Sequence, residues 1–251
     1  MQVCARLKDW TTSSVERIDR LVGLGVRRLS LPWDNLAQHL SRASLRAEAV
    51  VAALADADVA LAWVELPTLT CRDDASFEQE TDDAYMQMQV AQRSGADGVI
   101  IAFGHRSATS SAMATDALKR LATLAERQQV ILSVRNVYRS AFEQVDEFHC
   151  AFRDVRSEAL RLCLDNVEFQ RSVVNPADAA LAFSGRTSPV LLGDAHNGQP
   201  CVLGAGDAHV EPTVKALVEE GYAGDLLIDA AHVESALVFL AAVGALGGDQ
   251  A

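Results

Sequence analysis

Residues 188–231 read SPVLLGDAHNGQPCVLGAGDAHVEPTVKALVEEGYAGDLLIDAA. The segment opens with the apolar run Val190, Leu191, Leu192 and breaks at once into Gly193, Asp194, His196, Asn197 and Gly198. So short a run bounded by turn residues predicts a buried strand that ends in a polar loop. Past Gly204-Ala205-Gly206 a helix is expected. Asp207 or Glu211 is its cap, Pro212 lies in its first turn, and Val210, Val214, Leu217 and Val218 form its apolar stripe. Gly221 ends that helix, and the second apolar run, Leu226-Leu227-Ile228, stops at Asp229. The unit is strand, polar loop, helix, strand, with a carboxylate at each strand end.

The same unit recurs outward along the chain. Strand-like runs occupy residues 3–7, 26–31, 59–64, 99–103, 130–134 and 160–164, each followed by a helical stripe. Ser13 with Glu16, and Ser76 with Gln79, have capping-box spacing. A helix starts near Ser44, another runs through Phe142, Val145, Phe148 and Phe152, Asn175 and Pro176 start one more, and the last spans about 232–246. Eight alternating units require a parallel sheet and close most simply into a single (β/α)8 barrel over residues 1–251. The glycines at 204 and 206 lack the third glycine of a dinucleotide fingerprint.

Composition narrows the function. With 251 residues, 49% of them hydrophobic, the chain can bury one large core, and a formal charge of −12 argues against a phosphate-backbone partner. No apolar stretch approaches the ~20 residues of a membrane span, and the N-terminus lacks a signal-peptide core, so a cytoplasmic location without membrane contact is expected. The five cysteines, Cys4, Cys71, Cys150, Cys163 and Cys201, are odd in number and have no C-x-x-C spacing, which supports neither a disulfide framework nor structural zinc. The expected partner is a small-molecule substrate, and a homodimer is compatible with the sequence.

The order apolar strand, Asp, Asn-Gly, Gly-x-Gly-Asp, helix, Gly-Tyr-x-Gly, apolar strand, acid in residues 188–231 resembles the last two strands of the xylose-isomerase-like TIM barrels. The resemblance is close in this segment and elsewhere rests on the order of elements. It implies an α/β TIM barrel and chemistry of the sugar phosphate isomerase and epimerase kind, including dehydratases; the nuclease branch is disfavoured by the charge. It also implies a divalent metal held by a Glu after strand five, an Asp in Asp-x-x-His after strand six, a His on strand seven and a Glu after strand eight. At those positions this chain has Arg135, Asp165 with Glu168 in place of the His, Leu191, and Asp229. Asp194 matches the Asp that follows the strand-seven His, Ala205 stands where many members have Glu, and Arg139 resembles an Arg of the ketose epimerases. At ~4 Å and an effective dielectric of ~20, a dication and a guanidinium repel by about 8 kcal/mol. The expectation is therefore no cofactor, or a divalent metal in a non-standard site built from Asp165, Glu168, His196 and Asp229, with His105 a further stand-in.

In such a barrel the strands' C-terminal ends form the site. Lys8, Asp9, Trp10, Trp33, Asp34, Glu65, His105, Arg135, Tyr138, Arg139, Asp165, Glu168, Asp194, His196 and Asp229 are expected on that rim. Glu65 and Asp229 read as the proton-transfer carboxylates, with Asp165, His105 and His196 as further acid–base candidates. Arg135, Arg139, Trp10, Trp33, Tyr138, Asp194 and Glu168 read as substrate-binding. Arg135 either clamps a substrate carboxylate or phosphate or neutralises the acids around it. Two functions compete: an isomerase, epimerase or dehydratase-like enzyme acting next to a carbonyl, and a barrel that only binds a metabolite or a partner.

Overall fold

A computed structural model of the chain describes residues 1–10, 14–35 and 45–246. Eight parallel strands close into a barrel: β1 (Gln2–Arg6), β2 (Arg28–Pro32), β3 (Ala60–Glu65), β4 (Gly98–Ile101), β5 (Ile131–Arg135), β6 (Leu160–Asp165), β7 (Thr187–Leu191) and β10 (Asp225–Asp229). Closure comes from β1 pairing with β10, which sets Arg6 beside Asp229. The crossover helices are α1 (Ser14–Gly23), α2 (Leu45–Asp56), α3 (Asp74–Arg93), α4 (Ser111–Gln128), α5 (Val145–Val155), α6 (Asn166–Arg171), α7 (Pro176–Ala182), α8 (Val210–Glu219) and α9 (Val233–Ala242). None of the described helices is long and apolar enough to cross a membrane.

Two apolar clusters follow from the period of two along each strand. Outward-facing residues such as Leu132, Val134, Leu162 and Leu164 pack beneath the helices in the larger cluster, while Cys4, Trp63, Ile100, Cys163, Leu191 and Leu227 form a separate one inside the barrel. The same alternation aims the residue two positions after Cys4, Trp63, Cys163 and Leu227 inward as well. Those residues are Arg6, Glu65, Asp165 and Asp229, each the last residue of its strand.

Several boundaries differ from the sequence expectations. The loop after β7 contains a hairpin, β8 (Asp194–His196) with β9 (Gln199–Cys201), turned by Asn197 and Gly198 at φ 51 and 76. Two positive φ values in a two-residue turn are what an Asn-Gly pair supplies. At α3 the cap is Asp73 and not Ser76: Ser76 N–H donates to Asp73 at 2.8 Å, and Ser76 Oγ accepts the Asp73 N–H at 3.0 Å. Helix α5 starts after Phe142, with Gln144 and Glu147 forming its box. Helix α8 is capped by His209 in the left-handed region, without a side-chain bond from Asp207 or Glu211. Val218 leaves the stripe and is exposed, while Val210, Val214 and Leu217 are buried. A 3-10 turn, Ala230–His232, precedes α9. Ser13 and Ser44 lie outside the described residues.

Candidate active site

The upper end of the barrel interior carries three cation–carboxylate pairs. Arg6 grips both oxygens of Glu65, Nε to Oε1 and Nη2 to Oε2, each at 2.5 Å. Burial by itself would weaken the Arg6 proton affinity, but the Glu65 bonds and charge outweigh it and raise the pKa, while Arg135 pulls it the other way. Arg135 gives Nε at 2.9 Å and Nη2 at 2.6 Å to the same oxygen, Asp165 Oδ2. For Arg135, too, burial opposes the charge and Asp165 prevails, so its pKa is raised. Lys8 Nζ meets Asp229 Oδ2 at 2.5 Å, with the lysine side chain 65% exposed. Burial pushes the Asp229 pKa up, yet Lys8 and the Ala231 N–H pull it below the usual aspartate value.

Backbone N–H groups hold further carboxylate oxygens. Asp165 Oδ1 accepts the N–H groups of Val167 and Glu168 at 3.1 Å, capping α6, and its main chain is locked by Asn136. Glu168 accepts Tyr138 N–H at 2.8 Å and pairs with Arg171 at 2.6 Å. Asp194 accepts four N–H groups, from Ala195, Gly204, Gly206 and Ala208. It therefore organises the loop after β9 and exposes little to a ligand, being 4% accessible. A Cβ on Gly206 would overlap Asp194 Oδ1, so this loop needs glycine there.

A cavity of about 850 Å³ opens over this layer, lined among others by Arg6, Lys8, Arg135, Asp165, Glu168, Arg171, Asp194 and Asp229. Trp33 and Asp34 line a smaller neighbour of about 230 Å³ that also reaches Arg6, Glu65 and Arg135. The other expected residues are not themselves among those lining these two spaces, although Ala195, Asn197 and Asp207 around His196 line the larger one. Trp10 packs half-buried against the core. His105 Nδ1 contacts Ser107 Oγ at 2.7 Å on the surface, and His196 Nδ1 contacts Asp207 Oδ2 at 3.0 Å on the exposed hairpin. The Tyr138 ring has the Arg139 and Arg171 guanidinium groups over it, each 5.0 Å from its centroid. Asp9 pairs with Arg17. Arg6 was not anticipated, because reading the first strand through residue 7 put its end at Lys8. The parity of Cys4 and Arg6 carried the signal.

A dication does not fit the side chains present. The four positions the resemblance assigns to ligands hold a cation already paired, a carboxylate with both oxygens engaged, the apolar Leu191, and an aspartate bound to Lys8. Among the described residues no three His, Cys, Asp or Glu groups converge to hold a metal ion.

Comparison with known proteins agrees with the fold. The family model described as xylose isomerase-like TIM barrel matches residues 18–236. No curated protein matches. Similar solved structures include D-psicose 3-epimerase in the presence of D-fructose, at TM-score 0.81 and 11% identity over 98% of this chain and 100% of that one. The IOLI protein with a binding zinc atom has TM-score 0.81 and 14% identity over 97% and 98%. The probable 3-DHS dehydratase AsbF from Bacillus anthracis has TM-score 0.79 and 9% identity over 96% and 99%.

Proposed function

The chain belongs to the xylose isomerase-like TIM barrel family, and from that premise we propose that it is an isomerase- or epimerase-like enzyme, or a dehydratase-like one. It transfers a proton next to the carbonyl of a small polyhydroxylated or carboxylated substrate, without the family's metal. Asp229 is the proton-transfer carboxylate. The observation that carries this is a difference in availability. Glu65 and Asp165 are each held by a half-buried guanidinium, whereas the partner of Asp229 is a flexible and mostly exposed lysine.

The charges balance through the step. The substrate C–H proton passes to Asp229 Oδ2, and the C–H electron pair moves into an enolate whose charge falls on the former carbonyl oxygen. Asp229 is then neutral, and the Lys8 ammonium, freed from it, offsets the enolate. Substrate that displaces Lys8 Nζ also removes the contact that holds the Asp229 pKa down, so the base strengthens as the site fills. Delivery of a solvent proton to the other face gives the epimer; return of the Asp229 proton to the former carbonyl carbon, with the neighbouring hydroxyl proton passing to the enolate oxygen, gives the isomer; and departure of a β-hydroxyl with the Asp229 proton, as water, gives dehydration.

The test is solvent deuterium uptake by proton NMR, with the full chain and a panel of ketoses and keto acids. Asp229→Asn is expected to slow uptake by roughly 10²–10⁴-fold. Equal rates in variant and wild type would remove Asp229 from the chemistry. Saturation of Glu65, Asp165, Glu168 and Asp194 by protein donors favours a second reading, a barrel that binds a metabolite and turns nothing over. Binding without exchange would select it.

A further inference from the structure

We infer that the cavity takes a ligand with an oxyanion head, carboxylate or phosphate, held between the Nη1 edges of Arg6 and Arg135. The inference deepens the proton-transfer reading and rests on it only for the reaction at the far end of that ligand.

Hydrogen-bond accounting leads to it. Each carboxylate lining the cavity has partners: Asp165 has Arg135 and two backbone N–H groups, Glu168 has Tyr138 N–H and Arg171, and Asp229 has Lys8 and Ala231 N–H. Asp194 has its four N–H groups, and Asp207 has His196. The arginines are not used up. Arg6 commits Nε and Nη2 to Glu65, and Arg135 commits Nε and Nη2 to Asp165. Nη1 of each has no acceptor among the described residues, although both side chains are only about a quarter exposed, 23% and 25%.

Two features turn spare donors into a site. Both guanidinium groups line the same 850 Å³ cavity, and both also border the smaller space beside Trp33. They are close enough that the charge of Arg135 lowers the proton affinity of Arg6. Two neighbouring guanidinium groups with unmet N–H donors can share one oxyanion, which accepts charge-assisted bonds from both forks. Glu65 and Asp165 meanwhile fix the planes of the two forks, so little side-chain freedom is lost on binding. A neutral hydroxyl accepts weaker bonds from these donors than a charged oxygen does, so charge on the ligand is the selected property.

The experiment is a titration of the full chain followed through its arginine Nε–H signals by nitrogen–proton NMR. The probes are gluconate, inorganic phosphate and the neutral polyol glucitol. The expected result is saturable shifts of the Arg6 and Arg135 signals with an oxyanion and none with glucitol at equal concentration. The tighter of the two oxyanions identifies the head group. Arg6→Lys and Arg135→Lys each keep a cation for the partner carboxylate but remove the second edge of the fork, and each is expected to weaken that oxyanion roughly tenfold. Their thermal unfolding checks that the fold survives. No saturable shift with either oxyanion, an equal response to glucitol, or undiminished binding in the double lysine variant would overturn the inference. Oxyanion binding without deuterium uptake leaves it standing and removes the proton-transfer reading; uptake into a neutral ketose with no oxyanion binding does the reverse.

Discussion

At the lower end of the barrel interior, Arg28 gives Nε at 2.6 Å and Nη2 at 2.8 Å to the two oxygens of Asp225 and a further bond to Asp97. The Trp63 indole N–H closes the set onto Asp225 at 2.7 Å, and the Asp225 side chain is 6% exposed. At the upper end, Arg6 and Arg135 pair with Glu65 and Asp165 through the same kind of bond, and both residues line a cavity. The residue types are alike in both layers, and all three arginines bond through Nε and Nη2 alone; the difference lies in the space beside them, since Arg6 and Arg135 line a cavity and Arg28 does not line it. In the lower layer the Asp225 carboxylate has donors on both oxygens and no room for a ligand, so this layer holds the strands together. In the upper layer the same pairing holds two guanidinium groups beside open space, which is the condition for binding.

Breaking each layer tests that contrast. Asp225→Ala leaves Arg28 with Asp97 alone and takes the acceptor from the buried Trp63 indole; urea unfolding is expected to show a loss of about 2–3 kcal/mol. Glu65→Gln removes the opposing charge from Arg6, which can hydrate through the cavity, and the expected loss is about 1 kcal/mol. Equal losses in the two variants would erase the distinction between the layers.

The Lys8–Asp229 pair gives a smaller, pH-dependent effect. The folded Asp229 pKa is depressed, so its contribution to stability is complete above the ordinary aspartate value of about 3.9 and is lost as pH falls through the lowered one. Wild type and Asp229→Asn unfolding curves are therefore expected to converge only below that value. Convergence near pH 6 would refute the pairing. The smallest effect is chemical. Burial pushes the Cys4 and Cys163 thiols up, so both should resist a thiol reagent until the chain unfolds, while the exposed Cys150 reacts in the native state.

How far the sequence reached follows the same division between local and tertiary information. The barrel was legible because alternation and helical stripes repeat along the chain, and strand ends such as Glu65, Arg135, Asp165 and Asp229 could be read one at a time. Where each carboxylate spends its oxygens could not be read. Asp194 is saturated by residues 195–208 folding back on it, and Asp165 by Arg135 on a neighbouring strand. His196 stood near the strand end in sequence, yet it sits on the Asn-Gly hairpin with its ring against Asp207, while Ala195 and Asn197 beside it line the cavity. Arg6 was hidden by one residue of register, since a strand ending at residue 7 turns attention to Lys8.

The central proposal is that Arg135, at a position where the resemblance implies a metal-ligating Glu, leaves this site without a divalent metal. Its most direct test is a calorimetric titration of manganese, zinc and cobalt into the full chain after chelator treatment, with elemental analysis of untreated protein alongside. The account predicts no saturable heat and metal far below one ion per chain. Near-stoichiometric binding, abolished by Asp165→Asn together with Asp229→Asn, would contradict it.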